Sequence, residues 1–314
     1  MMKRKWTWIF IGFIMILLTS CSSGTLEKPS DLNQPLPLNK TKITVGSKSM
    51  TEQYLLLKMT SLVLREHGYP VNEMVTLDSD AVRSAMEAGV IDLYWEYTTT
   101  AREYYQKQTP IFDPDEVYRA VSAADASKGI IWLPRSEFNS SWALLMREDL
   151  AHQLGIRTIS DLTRVFKEKR PSMKFATNDE YQQREDGIKR LQDIYNFVIP
   201  KTQMVAMDTS LLPQAVKESR VEVAVGLASD SRIKDHHLVI VEDDRHLFAP
   251  YHAAPVILKK TLESNKEISD IIGPIAEVIN NDNMRDLMYK VDIQHKDVTQ
   301  TAREFLLQKH ILKR

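Results

Sequence analysis

Hydrophobic spacing changes several times along the chain, and each change marks an element. Behind Lys3, Arg4 and Lys5, an apolar or neutral run extends from Trp6 to Leu18 and ends at Leu18-Thr19-Ser20-Cys21. From Ser22 to Asn39 the periodicity disappears among Gly24, Pro29, Pro35, Pro37 and polar residues. That composition predicts a tether reaching roughly 20–25 Å. An α/β rhythm then begins. Ile43–Gly46 reads as a strand closed by glycine, and Ser49-x-x-Glu52 has the form of a capping box. Tyr54, Leu55, Met59, Leu62 and Val63 follow at helical spacing, with Gly68 as the stop. Val71–Leu77 predicts a second strand, Asp80–Ala88 a second helix and Ile91–Trp95 a third strand.

A second α/β set starts after residue 136. It predicts strands at Trp142–Met146, Met173–Ala176, Val221–Gly226 and Leu238–Val241. Helices are expected at Ser160–Lys169, Glu180–Phe197 (interrupted near Gly187) and Pro213–Arg220. The last third reads as helical, over Ser269–Asn280, Asp282–Val291 and Thr299–Gln308. Strands separated by such helices form mainly parallel sheets covered on both faces. Ligands on these sheets bind beyond the carboxyl ends of the strands, which points to Gly46–Gln53 and Glu96–Thr100.

Composition narrows the setting. Cys21 is the single cysteine of 314 residues. Its basic, apolar, small-small-Cys context predicts a lipoprotein signal at 1–20 with lipidation at Cys21. The apolar run is short for a membrane span, which needs about 20 residues. No internal disulfide can form. Without residues 1–20 the chain has 38 basic against 42 acidic side chains and no basic block, so nucleic acid is a poor partner. There is no phosphate loop, GxSxG or HExxH pattern, so enzyme activity finds little support, and a hydrolase using scattered Asp and Glu is the remaining catalytic alternative. No cofactor or metal is expected: His236-His237 has no ligand framework, and His246 and His252 lack a second ligand pattern.

Five segments, in order, resemble a known family. They are Gly46-Ser47-Lys48-Ser49-Met50-Thr51-Glu52-Gln53, Ile91 to Ala101 (IDLYWEYTTTA), Phe138 to Leu144 (FNSSWAL), Arg184-Glu185-Asp186-Gly187 and Ala249 to Pro255 (APYHAAP). Together they resemble osmoprotectant substrate-binding proteins, receptors that hand glycine betaine, choline, carnitine and similar compounds to ABC importers. The resemblance implies an α/β, bilobed type II periplasmic-binding-protein fold, with two mixed sheets flanked by helices and two hinge crossovers. Lobe I would comprise 40–136 plus 246–314 and lobe II 137–245, after a tether at 21–39. It also implies a lipid-anchored extracytoplasmic monomer with separate permease and ATPase partners.

Carried onto this chain, the family's aromatic cage falls on Tyr97, Trp142 and Tyr251. Leu227 stands where the family has a fourth ring. Ser47, Gln53, Thr98 and Thr100 are expected at the ligand's polar end, and Asn139 beside them. Glu52 and Glu96 are candidates for holding a cation, with capping as the other reading of Glu52. Arg184, Glu185 and Asp186 read as a salt-linked turn, and Tyr181 is within reach of the cleft. Tyr94, Trp95, Tyr104, Tyr105, Trp132 and Tyr195 fit packing roles. Two further readings stay open: another methylated solute such as ergothioneine, and a ligand-sensing lipoprotein without a transporter.

Overall fold

The structure is a computed structural model that describes residues 40–76, 78–168 and 173–313. The signal, the tether, Cys21, Leu77 and Lys169 lie outside the described residues. Among the described residues, ten strands form two five-stranded mixed sheets. The first is assembled from β1 (Ile43–Ser47), β2 (Val71–Val75), β3 (Leu93–Tyr97), β4 (Ile130–Trp132) and β10 (Ala253–Leu258), in the order β2-β1-β3-β10-β4. The second holds β5 (Trp142–Arg147), β6 (Phe175–Thr177), β7 (Met204–Ala206), β8 (Val223–Leu227) and β9 (Leu238–Val241), in the order β7-β6-β8-β5-β9.

In each sheet three neighbouring strands run parallel, and one strand runs against them. The reversed strand is β10 in the first sheet and β5 in the second. Both begin just after the chain has crossed between sheets. The crossing segments lie side by side, with Ser140 N–H donating to the Tyr251 carbonyl (3.0 Å) and Ala253 N–H to the Phe138 carbonyl (3.0 Å). This geometry has a consequence for the site. The carboxyl ends of the parallel strands and the amino ends of the reversed ones meet at the same edge of each sheet.

Helix α1 (Thr51–Glu66) buries Leu55, Leu56, Met59, Leu62 and Val63 against the first sheet. Its expected capping box is absent. Met50 occupies the N-cap without a side-chain bond; Ser49 Oγ lies 2.8 Å from the Tyr54 hydroxyl, and Glu52 turns to Tyr97. Helix α2 (Ser79–Glu87) is capped by Asp78, whose carboxylate accepts the Ala81 N–H at 2.8 Å. The interrupted helix expected over Glu180–Phe197 is three pieces: Asp179–Gln183, a π-helical turn Glu185–Lys189, and Arg190–Ile194. Gly187 makes the break possible. A Cβ there would fall 1.9 Å from the Tyr181 carbonyl oxygen, a distance no side chain tolerates. A second π-helical turn, Thr100–Tyr105, leaves the end of β3; π turns are rare and occur mostly at functional sites. The helix Pro114–Ala126 and strands β4, β7 and β10 are present beyond the sequence expectation.

Candidate functional site

A cavity of about 370 Å³ opens where the active edges of both sheets face each other. The end of β3 supplies Tyr97, the start of β5 Trp142, the end of β8 Leu227, and the segment before β10 Tyr251; all four line it. Trp142 and Leu227 are register partners across β5 and β8, so they stand side by side. Tyr181 backs Trp142 with ring centroids 4.9 Å apart. It is fully buried behind the wall rather than on it, and its hydroxyl has no partner among the described residues.

The first sheet brings a buried charge network. Lys48, on the turn after β1, places its ammonium 2.6 Å from Glu96 and 5.1 Å from the Tyr97 ring centroid. Glu96 also accepts the hydroxyls of Tyr94 and Tyr105, each at 2.9 Å, and the Tyr97 N–H at 2.7 Å. So many donors make Glu96 the internal counter-ion of Lys48. Glu52 is different. The Tyr97 hydroxyl donates to it at 3.1 Å, yet burial pushes its carboxyl up to about 7, with Asp230 and Asp292 adding to the rise. Its own backbone amide and the Tyr97 hydroxyl pull the other way.

The second sheet brings an arginine whose charge is spent. Arg184 grips Asp186 through two nitrogens (2.9 and 2.5 Å), reaches Glu180 at 3.0 Å, and lies 4.5 Å from the Tyr104 ring centroid. Asp186 in turn accepts the Tyr251 hydroxyl at 3.2 Å, and this fixes the ring in the wall. Glu180 accepts the Ser79 N–H at 3.1 Å, and Glu103 pairs with Arg190. These contacts tie the two halves across the cavity mouth.

The family model for the substrate-binding domain of ABC-type glycine betaine transport systems matches residues 41–308. The chain belongs to this family. A glycine-betaine-binding protein of Pseudomonas aeruginosa is 32% identical over 275 residues, covering 86% of this chain and 88% of that one. An ergothioneine transport permease/ergothioneine binding protein of Helicobacter pylori is 26% identical, covering 86% of this chain and 48% of that longer protein. Among solved structures, that of a glycine betaine/carnitine/choline ABC transporter superposes with a TM-score of 0.68 at 22% identity, over 86% of this chain and 99% of that one. Members of the family are receptors, not enzymes, and such receptors work outside the cytoplasm. Among the described residues no helix is long and apolar enough to cross a membrane.

Of the residues named from sequence, the structure brings Tyr97, Thr100, Trp142, Leu227, Tyr251 and Glu52 onto the cavity wall of this family member. Four others lie off that wall. Ser47 is buried under the turn, donating to the Lys48 carbonyl at 2.8 Å. Gln53 is buried within α1, its amide nitrogen without a partner among the described residues. Thr98 accepts the His252 N–H at 3.2 Å and serves the crossing segments. Asn139 accepts the Tyr251 N–H at 2.7 Å, so it positions a wall residue from behind. Trp95 is core, donating to the Thr60 hydroxyl at 2.9 Å. Lys48 lies in the Gly46–Gln53 turn expected at the ligand, though it was not singled out, and sequence reasoning missed Asp78, Asp179, Glu180 and Asp208 as cavity residues. Only the helix-capping pattern at Asp78 and Asp208 gave a local signal for any of them.

Proposed function

We propose that this chain is an extracytoplasmic lipoprotein, anchored through Cys21, that captures a quaternary ammonium solute between lobes 40–136 plus 246–314 and 137–245. It then presents the solute to a separate permease and ATPase. Tyr97, Trp142 and Tyr251 form the cage, and Leu227 closes its fourth side. The supporting observation is that three rings and one leucine from four separate segments line a single cavity. A quaternary ammonium donates no hydrogen bond, so shape and π faces must recognise it. Each desolvated face contributes about 1–2 kcal/mol, and a micromolar complex needs about −8 kcal/mol in all, so several faces must act together.

A panel of glycine betaine, carnitine, choline, ergothioneine and glycine, read by tryptophan fluorescence and calorimetry, tests this. Saturable binding of a methylated ammonium, weakened at least tenfold by Trp142→Ala or Tyr251→Ala, is the expected result. Silence across the panel would overturn it. Ergothioneine is the second reading, supported by the Helicobacter pylori relative and by the space that a leucine leaves in place of a ring.

A further inference from the structure

The two halves of the molecule are also tied together by residues that stand off the cavity wall. The π-helical turn Thr100–Tyr105 packs against the second one, Glu185–Lys189. Glu103 belongs to the first turn and Arg190 directly follows the second; the two form an ion pair, 87 residues apart in sequence. Among the described residues it is the one ion pair joining the two sides away from the crossing segments, where Arg135 meets Glu137. Both side chains are largely withdrawn from water, Glu103 at 5% exposure and Arg190 at 18%. The pair is therefore screened less than one on the surface, while Arg190 keeps part of its hydration and limits the desolvation cost. Asp186 and Arg184 also face Glu103, but they are closed on each other, so Arg190 is the counter-ion left to it. Neither member lines the cavity, whereas Arg184, Glu180, Ser79 and Tyr251, which also bridge the mouth, all do. Both also fall outside the five segments that resemble the family.

Resting on the reading of this chain as a two-lobed receptor, we propose that Glu103 and Arg190 form a latch that holds the lobes closed and sets how long a captured ligand stays. They are positioning residues, acting on the ligand through closure and never touching it. The pair forms only across a closed mouth, so its free energy counts toward the closed state alone. A ligand held by the closed state inherits that bias, because apparent affinity scales with the binding-competent fraction. Release requires opening. The effect of the latch therefore falls on dissociation, and association stays nearly the same.

The test uses the full chain in detergent at pH 8, above the value of about 7 to which burial raises the Glu103 carboxyl, so that the pair is ionic. Arg190→Gln, Glu103→Gln and the double variant are compared with the parent by stopped-flow tryptophan fluorescence with glycine betaine. Either single change should speed dissociation about tenfold and change association by less than about threefold. The double variant should lose no more than a single one, because the two residues act as a unit. Arg190→Lys should keep most of the parent's residence time. Hydrogen exchange gives a readout that needs no ligand. The Ser79 amide begins α2 and is bonded across the mouth to Glu180 at 3.1 Å. Arg190→Gln, on the opposite side, should speed exchange there about fivefold while the strands of both sheets stay protected. A folded Arg190→Gln protein with the parent's dissociation rate and the parent's exchange at Ser79 would overturn the latch. Faster exchange throughout both sheets would overturn it too, since that marks a purely structural pair. If glycine betaine does not bind the parent, exchange at Ser79 still decides the latch, and the ligand reading fails by itself.

Discussion

The two sheets share one topology and furnish the cavity with different side chains. Each sets three parallel strands beside a reversed strand that starts at the crossing segments. The first sheet then offers buried ionic chemistry: Lys48 on Glu96, Glu52 on Tyr97. The second offers Trp142 and Leu227, with Tyr181 behind them, beside an ion pair already closed on itself, Arg184 on Asp186. The scaffold fixes where ligand-facing residues stand, and the turns at its edge decide what those residues do. The difference also separates two kinds of cost. On the first side, removing a wall residue unbalances buried charge and threatens the fold. On the second, removing Trp142 or Leu227 mainly takes away a surface for the ligand.

On the first side, Lys48→Ala should therefore be the most damaging single change. It leaves Glu96 buried without its counter-ion, and breaking a buried pair this way costs about 3–5 kcal/mol. Chemical unfolding of the variant measures it. A loss below about 1 kcal/mol would show that the Tyr94, Tyr97 and Tyr105 donors suffice for Glu96, and the contrast between the two sides would weaken.

Acidity sharpens the same contrast. The carboxyl of Glu52 lies near 7 in the fold against its ordinary 4.5, because burial disfavours the charged form. The folded state then binds more protons than the unfolded chain between those values. Stability contributed by the neutral carboxyl is full below about 4.5 and is lost as pH rises through about 7. A 2.5-unit separation corresponds to about 3 kcal/mol. Glu103, also raised to about 7 by burial against the pull of Arg190, acts in the same window. Unfolding free energy should fall from pH 5 to pH 8, and Glu52→Gln should flatten that slope by its share. A slope unchanged in Glu52→Gln would assign the effect to Glu103 alone.

Gly187→Ala should cost about 1–3 kcal/mol by overpacking, since the added methyl collides with the Tyr181 carbonyl. It should also weaken binding, because Tyr181 backs Trp142 and Asp186 holds Tyr251. Unfolding and ligand titration on one preparation would read both. Lost stability with unchanged affinity would show that the broken helix is structural only.

Much of this arrangement is legible in the sequence. The rings Tyr97, Trp142 and Tyr251 sit in segments whose residues and order mark the family, and β9 has the bounds its short apolar run suggests. The failures have physical causes. Strand β10 is hidden by Pro255, which lacks a ladder donor. That proline pairs with Trp95 on the β3 side and lies past the last β4 pair, Val256 with Trp132, so the missing N–H costs no bond there. The capping box fails because Tyr97 claims Glu52 from 45 residues away. Asp78, Asp179 and Asp208 reach the cavity from three separate segments, and no local spacing announces that they converge.

The smallest expected effect is the one that bears most directly on the comparison. Leu227 is the register partner of Trp142 and faces the cavity beside it. Replacing it as Leu227→Tyr adds a π face without touching the charged network of the first sheet. One desolvated face is worth about 1–2 kcal/mol, so affinity for a compact trimethylammonium should rise roughly 5–30-fold while stability stays nearly constant. Calorimetry on the folded variant measures the gain. An affinity left unchanged by Leu227→Tyr would mean that the leucine already fits the head group, and the second side would then not be the ligand surface that the comparison makes it.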